Sequence, residues 1–321
     1  MQHKLDDGRT VVEHFVGAHP ELSEDDRAVM LGWQDVVEGI FEIEERDGEA
    51  LVAVNLSDDL TYRIRSNTGA SLFDRMPERS FLAGRVVPVT DEWVLSGACR
   101  PMPASRRSEI YEMVMRSFVT DKASVFRNKE KLELGWKLQR EDREYFLSFF
   151  GTDEVVMTGA EYAERMPEYW DFRIAKAQET ARMRAANHAP APEYELSNAL
   201  CAAKSVGVVY YEVEGLLLLD GYATVKAVFD DPALIRDRTH RNRVSLYLKD
   251  DSIPPAVFRR LADRDPSKAD QVFRHLLNKP RFSWERDGEP LLRRTKRAHF
   301  ERPAYPSVTP ASERLTTYLR G

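Results

Sequence analysis

Apolar residues in positions 9–32 recur at helical spacing. Val11, Val12, Phe15 and Val16 form one stripe, Pro20 interrupts it, and Ser23 precedes Glu24, Asp25 and Asp26. Two short helices are expected, because a serine hydroxyl caps a first turn and acidic side chains suit the positive end of a helix dipole. From Val36 the rhythm shortens to about two, first through Ile40 and Ile43, then over residues 51–56, 60–65, 81–89 and 93–96. These read as five strands. Asp47-Gly48 suits a tight hairpin with a positive φ, Asp58-Asp59 and Thr90-Asp91 suit compact turns, and residues 66–77 form one longer loop. Five strands in roughly 65 residues predict a small antiparallel β-barrel over 36–98, since closure removes edges that would otherwise pair with other chains.

After Pro103 the period returns to 3.6. Ile110, Val114, Met115 and Phe118 make one stripe; Leu132, Trp136 and Leu138 lead into Tyr145, Phe146, Phe149 and Phe150. A short apolar segment, 155–157, precedes a helix opening at Thr158 and reaching toward Ala186, with Pro167 as a kink or break. Residues 187–192, Asn-His-Ala-Pro-Ala-Pro, read as a linker, which divides the chain into 1–187 and 188–321. The second part opens with a β-branched, tyrosine-rich run at 206–213, a Glu214-Gly215 turn and a partner strand at 216–219. Helices are expected to follow. Ser252 with Pro254 and Asp265 with Pro266 mark two helix starts, the second helix burying Val272, Phe273, Leu276 and Leu277 and leaving Arg274, His275 and Lys279 on other faces. The fold class expected is α+β: a barrel with flanking helices, then a mainly helical domain with a β-hairpin.

Composition narrows the function classes. Of 321 residues, 42% are hydrophobic and 31% charged, as in a globular chain with a solvated surface. No apolar run approaches the roughly 18–20 residues of a membrane helix, so membrane insertion is not expected. Asp6 and Asp7 stand where a secretory signal needs basic then apolar residues, so export is not expected either. The two cysteines, Cys99 and Cys201, have no metal-ligand spacing, and a reducing cytoplasm is the expected setting.

Net charge is -6, yet residues 231–302 hold 18 Lys and Arg against 11 Asp and Glu. Arg236, Arg238, Arg241 and Arg243 crowd one stretch; Arg293, Arg294, Lys296 and Arg297 crowd another. Such clusters suit phosphates or an acidic protein partner, although interleaved acids make a solvated face with local ion pairs the more ordinary outcome. On the strand at 60–65, alternation puts Tyr62 and Ile64 on one face and Arg63 and Arg65 on the other. With Arg85 and Trp93 on the same wall, that face would offer guanidinium pairing and ring stacking to a polyanion.

No phosphate-cradling glycine loop, nucleophile elbow or zinc-binding His-Glu-x-x-His string occurs, which lowers the expectation of an enzyme; no cofactor and no metal are expected. The pairs Asp58-Asp59 and Asp250-Asp251 read as turn and cap residues. Glu45-Arg46-Asp47-Gly48-Glu49 recurs as Glu285-Arg286-Asp287-Gly288-Glu289, read as convergent turn chemistry, Asp-Gly being a common hairpin solution. Three functions follow in order: a non-enzymatic adaptor contacting RNA or DNA through phosphates; a protein-interaction or self-association module using the apolar strand 216–219; and a metal-dependent hydrolase or nuclease with dispersed carboxylates such as Asp220, Asp230 and Asp231.

The stretch Trp33-Gln-Asp-Val-Val-Glu-Gly-Ile-Phe-Glu, with Arg85-Val-Val-Pro-Val and Trp93-Val-Leu-Ser-Gly, resembles a class of uncharacterised bacterial proteins of actinobacterial type. The resemblance implies a bacterial cytoplasmic source and the same barrel-plus-helices plan. It implies no activity and no catalytic residue.

Overall fold

The computed structural model describes residues 3–183, 196–312 and 314–315. The linker and domain boundary expected at 187–192 lie outside these residues. The chain forms two compact units, Met1–Glu133 with Thr309–Gly321, and Leu134–Val308.

The first unit opens with α1 (Val11–Ala18) and α2 (Glu24–Gly32), started by a Thr10/Glu13 capping box and by Ser23, whose hydroxyl accepts the Asp26 amide. Strands β1 (Val37–Asp47), β2 (Ala50–Asn55), β3 (Thr61–Arg65), β4 (Phe81–Val89) and β5 (Glu92–Leu95) follow. The order β1-β2-β3-β5-β4, with β4 pairing back onto β1, closes a five-stranded barrel. Four seams are antiparallel, but β3 runs parallel to β5, so the expected all-antiparallel barrel is corrected at that seam. A sixth strand, β6 (Arg100–Met102), extends β4 and was not anticipated. The turns are as read: Gly48 takes φ 61°, while Asp59 and Thr90 also hold positive φ, at 60° and 54°.

Phe41, Ile43, Leu51, Ala53, Tyr62, Ile64, Leu82, Val86 and Leu95 fill the barrel by the period-two rule. The β2–β3 turn carries a buried polar knot. Asp58 accepts the Tyr62 hydroxyl at 2.6 Å and the Leu60 amide at 2.9 Å, and burial pushes its carboxyl above the usual range against the pull of those bonds. The unit continues through α3 (Arg107–Thr120), α4 (Lys122–Val125) and the first turn of α5 (Lys129–Phe150). Lys131 ties the turn down, donating to the Ser57 carbonyl at 2.9 Å and pairing with Asp59 at 2.6 Å. Asp58 and Asp59 therefore serve the turn.

The second unit comprises the rest of α5, β7 (Glu154–Met157), α6 (Gly159–Met183), α7 (Asn198–Cys201), β8 (Val206–Tyr211), β9 (Gly215–Asp220), α8 (Tyr222–Asp230), α9 (Arg238–Lys249), α10 (Pro255–Asp263), α11 (Pro266–Leu277), α12 (Glu289–Thr295) and α13 (Arg297–Glu301). Helix α6 runs through Pro167 without a break. The antiparallel sheet β7-β8-β9 is the middle of three layers. Val206, Val208 and Tyr210 of β8 pack with Phe146, Tyr162, Met166 and Tyr169 of α5 and α6; Val209 and Tyr211 face the core built from α8 to α12. Gly207 shares that second face, where a Cβ would lie 2.5 Å from the Tyr222 ring. The four leucines of β9 divide the same way, Leu216 and Leu218 to one core, Leu217 and Leu219 to the other. The apolar run expected as a partner surface is thus absorbed by two internal faces. No helix of the described residues is long and apolar enough to cross a membrane.

Candidate polyanion-binding surface

Closure of the barrel brings Arg63 and Arg65 together on the outer face of β3 as their spacing requires, but carboxylates hold them there. Arg63 donates to Asp47 at 2.9 Å and pairs with Glu92; Arg65 pairs with the same Glu92 and, at 3.7 Å, with Glu49. Arg85 reaches across β1 to Glu38 at 2.7 Å. Trp93 stands opposite Ile64 in the register and so turns toward the core, edge-on to Tyr62 at 5.0 Å with the Arg127 guanidinium over its ring at 5.3 Å. The expected platform of three free arginines and a stacking ring is corrected: the arginines are paired and the ring is packed inward.

The second unit divides its cations differently. Arg243 pairs with Asp220 at 2.9 Å, Arg293 with Glu289 at 3.3 Å, and Arg297 with Glu301. Lys296 is corrected from surface to core. It is 0% exposed, and its ammonium donates to the Tyr247 carbonyl at 2.7 Å and to that of Asp250, near the C-terminal end of α9. Burial lowers its pKa to about 8. The remaining four, Arg236, Arg238, Arg241 and Arg294, have no side-chain ion pair or hydrogen bond among the described residues. Arg236 closes a short 3-10 turn whose N-cap is Asp231; Arg238 and Arg241 lie in the first turn of α9, capped by Asp237. These acids are engaged by backbone amides: Asp231 accepts from Ala233 at 3.0 Å and Asp237 from His240 at 3.1 Å.

The structure places three further cations beside Arg294: Lys279, which the sequence puts on an outer helix face, Arg286, which it puts in a turn, and Arg281, for which it gives no role. The second copy of the repeated pentapeptide contributes Arg286, and it forms a π-helical turn (Trp284–Gly288), not the hairpin that Asp-Gly makes at 47–48. The carboxylates considered for a metal are dispersed to other work, Asp220 on Arg243 and Asp231 on its cap. Among the described residues no group of three or more His, Cys, Asp or Glu is placed to hold a metal ion.

A buried network braces the sheet of this unit. Glu154, whose side chain is 6% exposed, accepts from Lys226 at 2.8 Å, Arg260 at 2.8 Å, Arg264 at 2.5 Å and the Tyr222 hydroxyl at 3.3 Å. Burial alone would raise its pKa, but these cations outweigh burial and hold the carboxyl below its ordinary value. The adjacent Asp153 takes Arg260 at 2.5 Å as well. No family model, curated protein or solved structure matches the chain.

Proposed function

We propose that the protein is a non-enzymatic adaptor that binds a polyanion, RNA or DNA, mostly through phosphates, and that the helical unit carries the contact. The observation supporting this is the division of the nominated arginines: Arg63, Arg65 and Arg85 each face a carboxylate, whereas Arg236, Arg238 and Arg241 crowd one short segment without a side-chain partner. An exposed cation not already neutralised exchanges only water and counterions for a phosphate, so its Coulomb attraction is available to a ligand. Small barrels often bind nucleic-acid strands across one face, but architecture alone does not assign function, and here the outer face of β3 is already neutralised. Cys99 and Cys201 are both free, which supports a reducing, cytoplasmic setting.

The test is fluorescence anisotropy of a labelled DNA duplex with the full chain at about 50 and 200 mM salt. Three phosphate contacts correspond to roughly a 40-fold loss of affinity over that range. Substituting Arg236, Arg238 and Arg241 with Ala together is expected to weaken binding for every duplex sequence, with the same triple change at Arg63, Arg65 and Arg85 leaving it in place. Binding that depends on the barrel triple instead, or no binding at either salt, overturns the reading.

A further inference from the structure

Helix α11 ends on Asn278, a left-handed residue at φ 52° whose amide satisfies the last carbonyls of the helix. Pro280 prevents continuation. The chain then passes Phe282 and makes the π-helical turn before α12, and the bend encloses an open cleft of about 550 Å³. That volume lies within the roughly 300–1,000 Å³ typical of small-ligand sites.

The lining has two chemistries. Phe282 and Leu291 are buried beneath it, while Pro280 and Pro290 are exposed and present ring faces with no N–H to satisfy. Around them stand Lys279, Arg281, Arg286 and Arg294, with Asp287 as the single acid. Arg286 is fixed: it donates to both Asp287 oxygens, at 3.0 and 2.7 Å, and to the Arg281 carbonyl at 2.6 Å. The Arg286 guanidinium and the Ser283 amide, helped by Lys279, hold the Asp287 carboxyl down to about 2, so this brace stays ionised at neutral pH. Arg281 and Arg294 have no side-chain ion pair or hydrogen bond among the described residues, while Lys279 lends its charge to Asp287. Two uncommitted arginines and a lysine that outnumber the single acid, set over an apolar floor, match a dianion joined to a planar ring better than a bare anion, which would leave the proline and leucine surface wet.

We propose that this cleft binds a nucleoside monophosphate, its phosphate held by Lys279, Arg281 and Arg294 and its base laid on the apolar floor, either as a free nucleotide or as the 5′-terminal nucleotide of a strand. The proposal rests on the cleft's own lining and not on the Arg236–Arg238–Arg241 cluster. Lys268, in the first turn of α11, reaches the Asp230 carbonyl beside that cluster at 2.8 Å, so the two sites are separated by the helix, about 18 Å for twelve residues.

The experiment is calorimetric titration of the full chain with AMP, adenosine, inorganic phosphate and a pentaglutamate peptide, with a parallel comparison of 5′-phosphorylated and unphosphorylated oligonucleotides. AMP is expected to bind one per chain, adenosine and phosphate at least ten-fold more weakly, and Arg294→Gln and Arg281→Gln each to weaken AMP by about ten-fold with an unchanged melting temperature, since both side chains are exposed and unpaired. A preference for the phosphorylated oligonucleotide that AMP competes away identifies the terminal nucleotide as a second source; AMP binding without that preference identifies the free ligand. Phosphate or pentaglutamate binding as tightly as AMP, AMP binding indifferent to both variants, or no AMP binding overturns the proposal. A chain that binds unphosphorylated duplex but not AMP loses this inference and keeps the polyanion reading; the converse result does the opposite.

Discussion

The two units handle arginine in contrasting ways. On the barrel, Arg63, Arg65 and Arg85 sit at the surface and each meets a carboxylate on the same strand wall or the next hairpin. In the helical unit the strongest pairing is drawn inward, to Glu154, while Arg236, Arg238, Arg241 and Arg294 are left outside it. Pairing at a surface chiefly neutralises charge and adds little stability; pairing around a buried carboxylate makes each member costly to remove. Cation counts alone therefore do not locate a binding face.

The largest effect that sharpens this contrast is expected at Glu154. Glu154→Ala removes the carboxylate shared by Lys226, Arg260 and Arg264, of which Arg260 keeps Asp153, and should cost about 2–4 kcal/mol, read by urea denaturation. A loss below about 1 kcal/mol would make the inner network equivalent to the outer pairs. Next is Lys296. Because its folded pKa, about 8, lies below the ordinary 10.5, the unfolded chain binds more protons between those values, and stability relative to Lys296→Met should rise as pH increases through that window, by on the order of 1–3 kcal/mol. A flat difference would return the amine to the surface. The smallest stability effect is expected on the barrel. Glu92→Gln removes the carboxylate that Arg63 and Arg65 share, leaving Arg63 on Asp47 and Arg65 only on the more distant Glu49, at a cost under about 1 kcal/mol, yet should give the barrel several-fold greater affinity for duplex at about 50 mM salt, an increase that Arg65→Ala removes.

The alternation of β3, the β-branched strand β8, the hairpin at Gly48 and the proline-marked starts of α10 and α11 were legible because each depends on residues within one or two turns of the chain. The parallel β3–β5 seam was not, since it joins segments with no local signal for register, and β6, three residues including Pro101, is too short to show a period. The arginine pairs were hidden for the same reason: Arg85 and Glu38 stand 47 residues apart. Lys296 did carry a sign, standing four residues after Leu292, at the C-cap of α12 and in line with its apolar side. The repeated pentapeptide marks the limit of local reading. Gly48 needs its positive φ, whereas Gly288 has φ -62° and is small because a Cβ would lie 2.8 Å from the Trp284 ring. One string answers to backbone twist in the first place and to packing in the second.

The first unit is discontinuous in the chain: residues 134–308 intervene before Thr309, where the chain rejoins it. Glu42, buried beneath the outer barrel wall and bonded to Arg107 and Tyr111, also receives Arg314 at 3.5 Å, and Leu315 is fully buried. During N-to-C synthesis the barrel strands emerge first, but the contacts that Arg314 and Leu315 add to their unit come last, whereas the helical unit has all its residues in hand before Arg314 exists. The unit that begins first is therefore the one whose contacts are complete last.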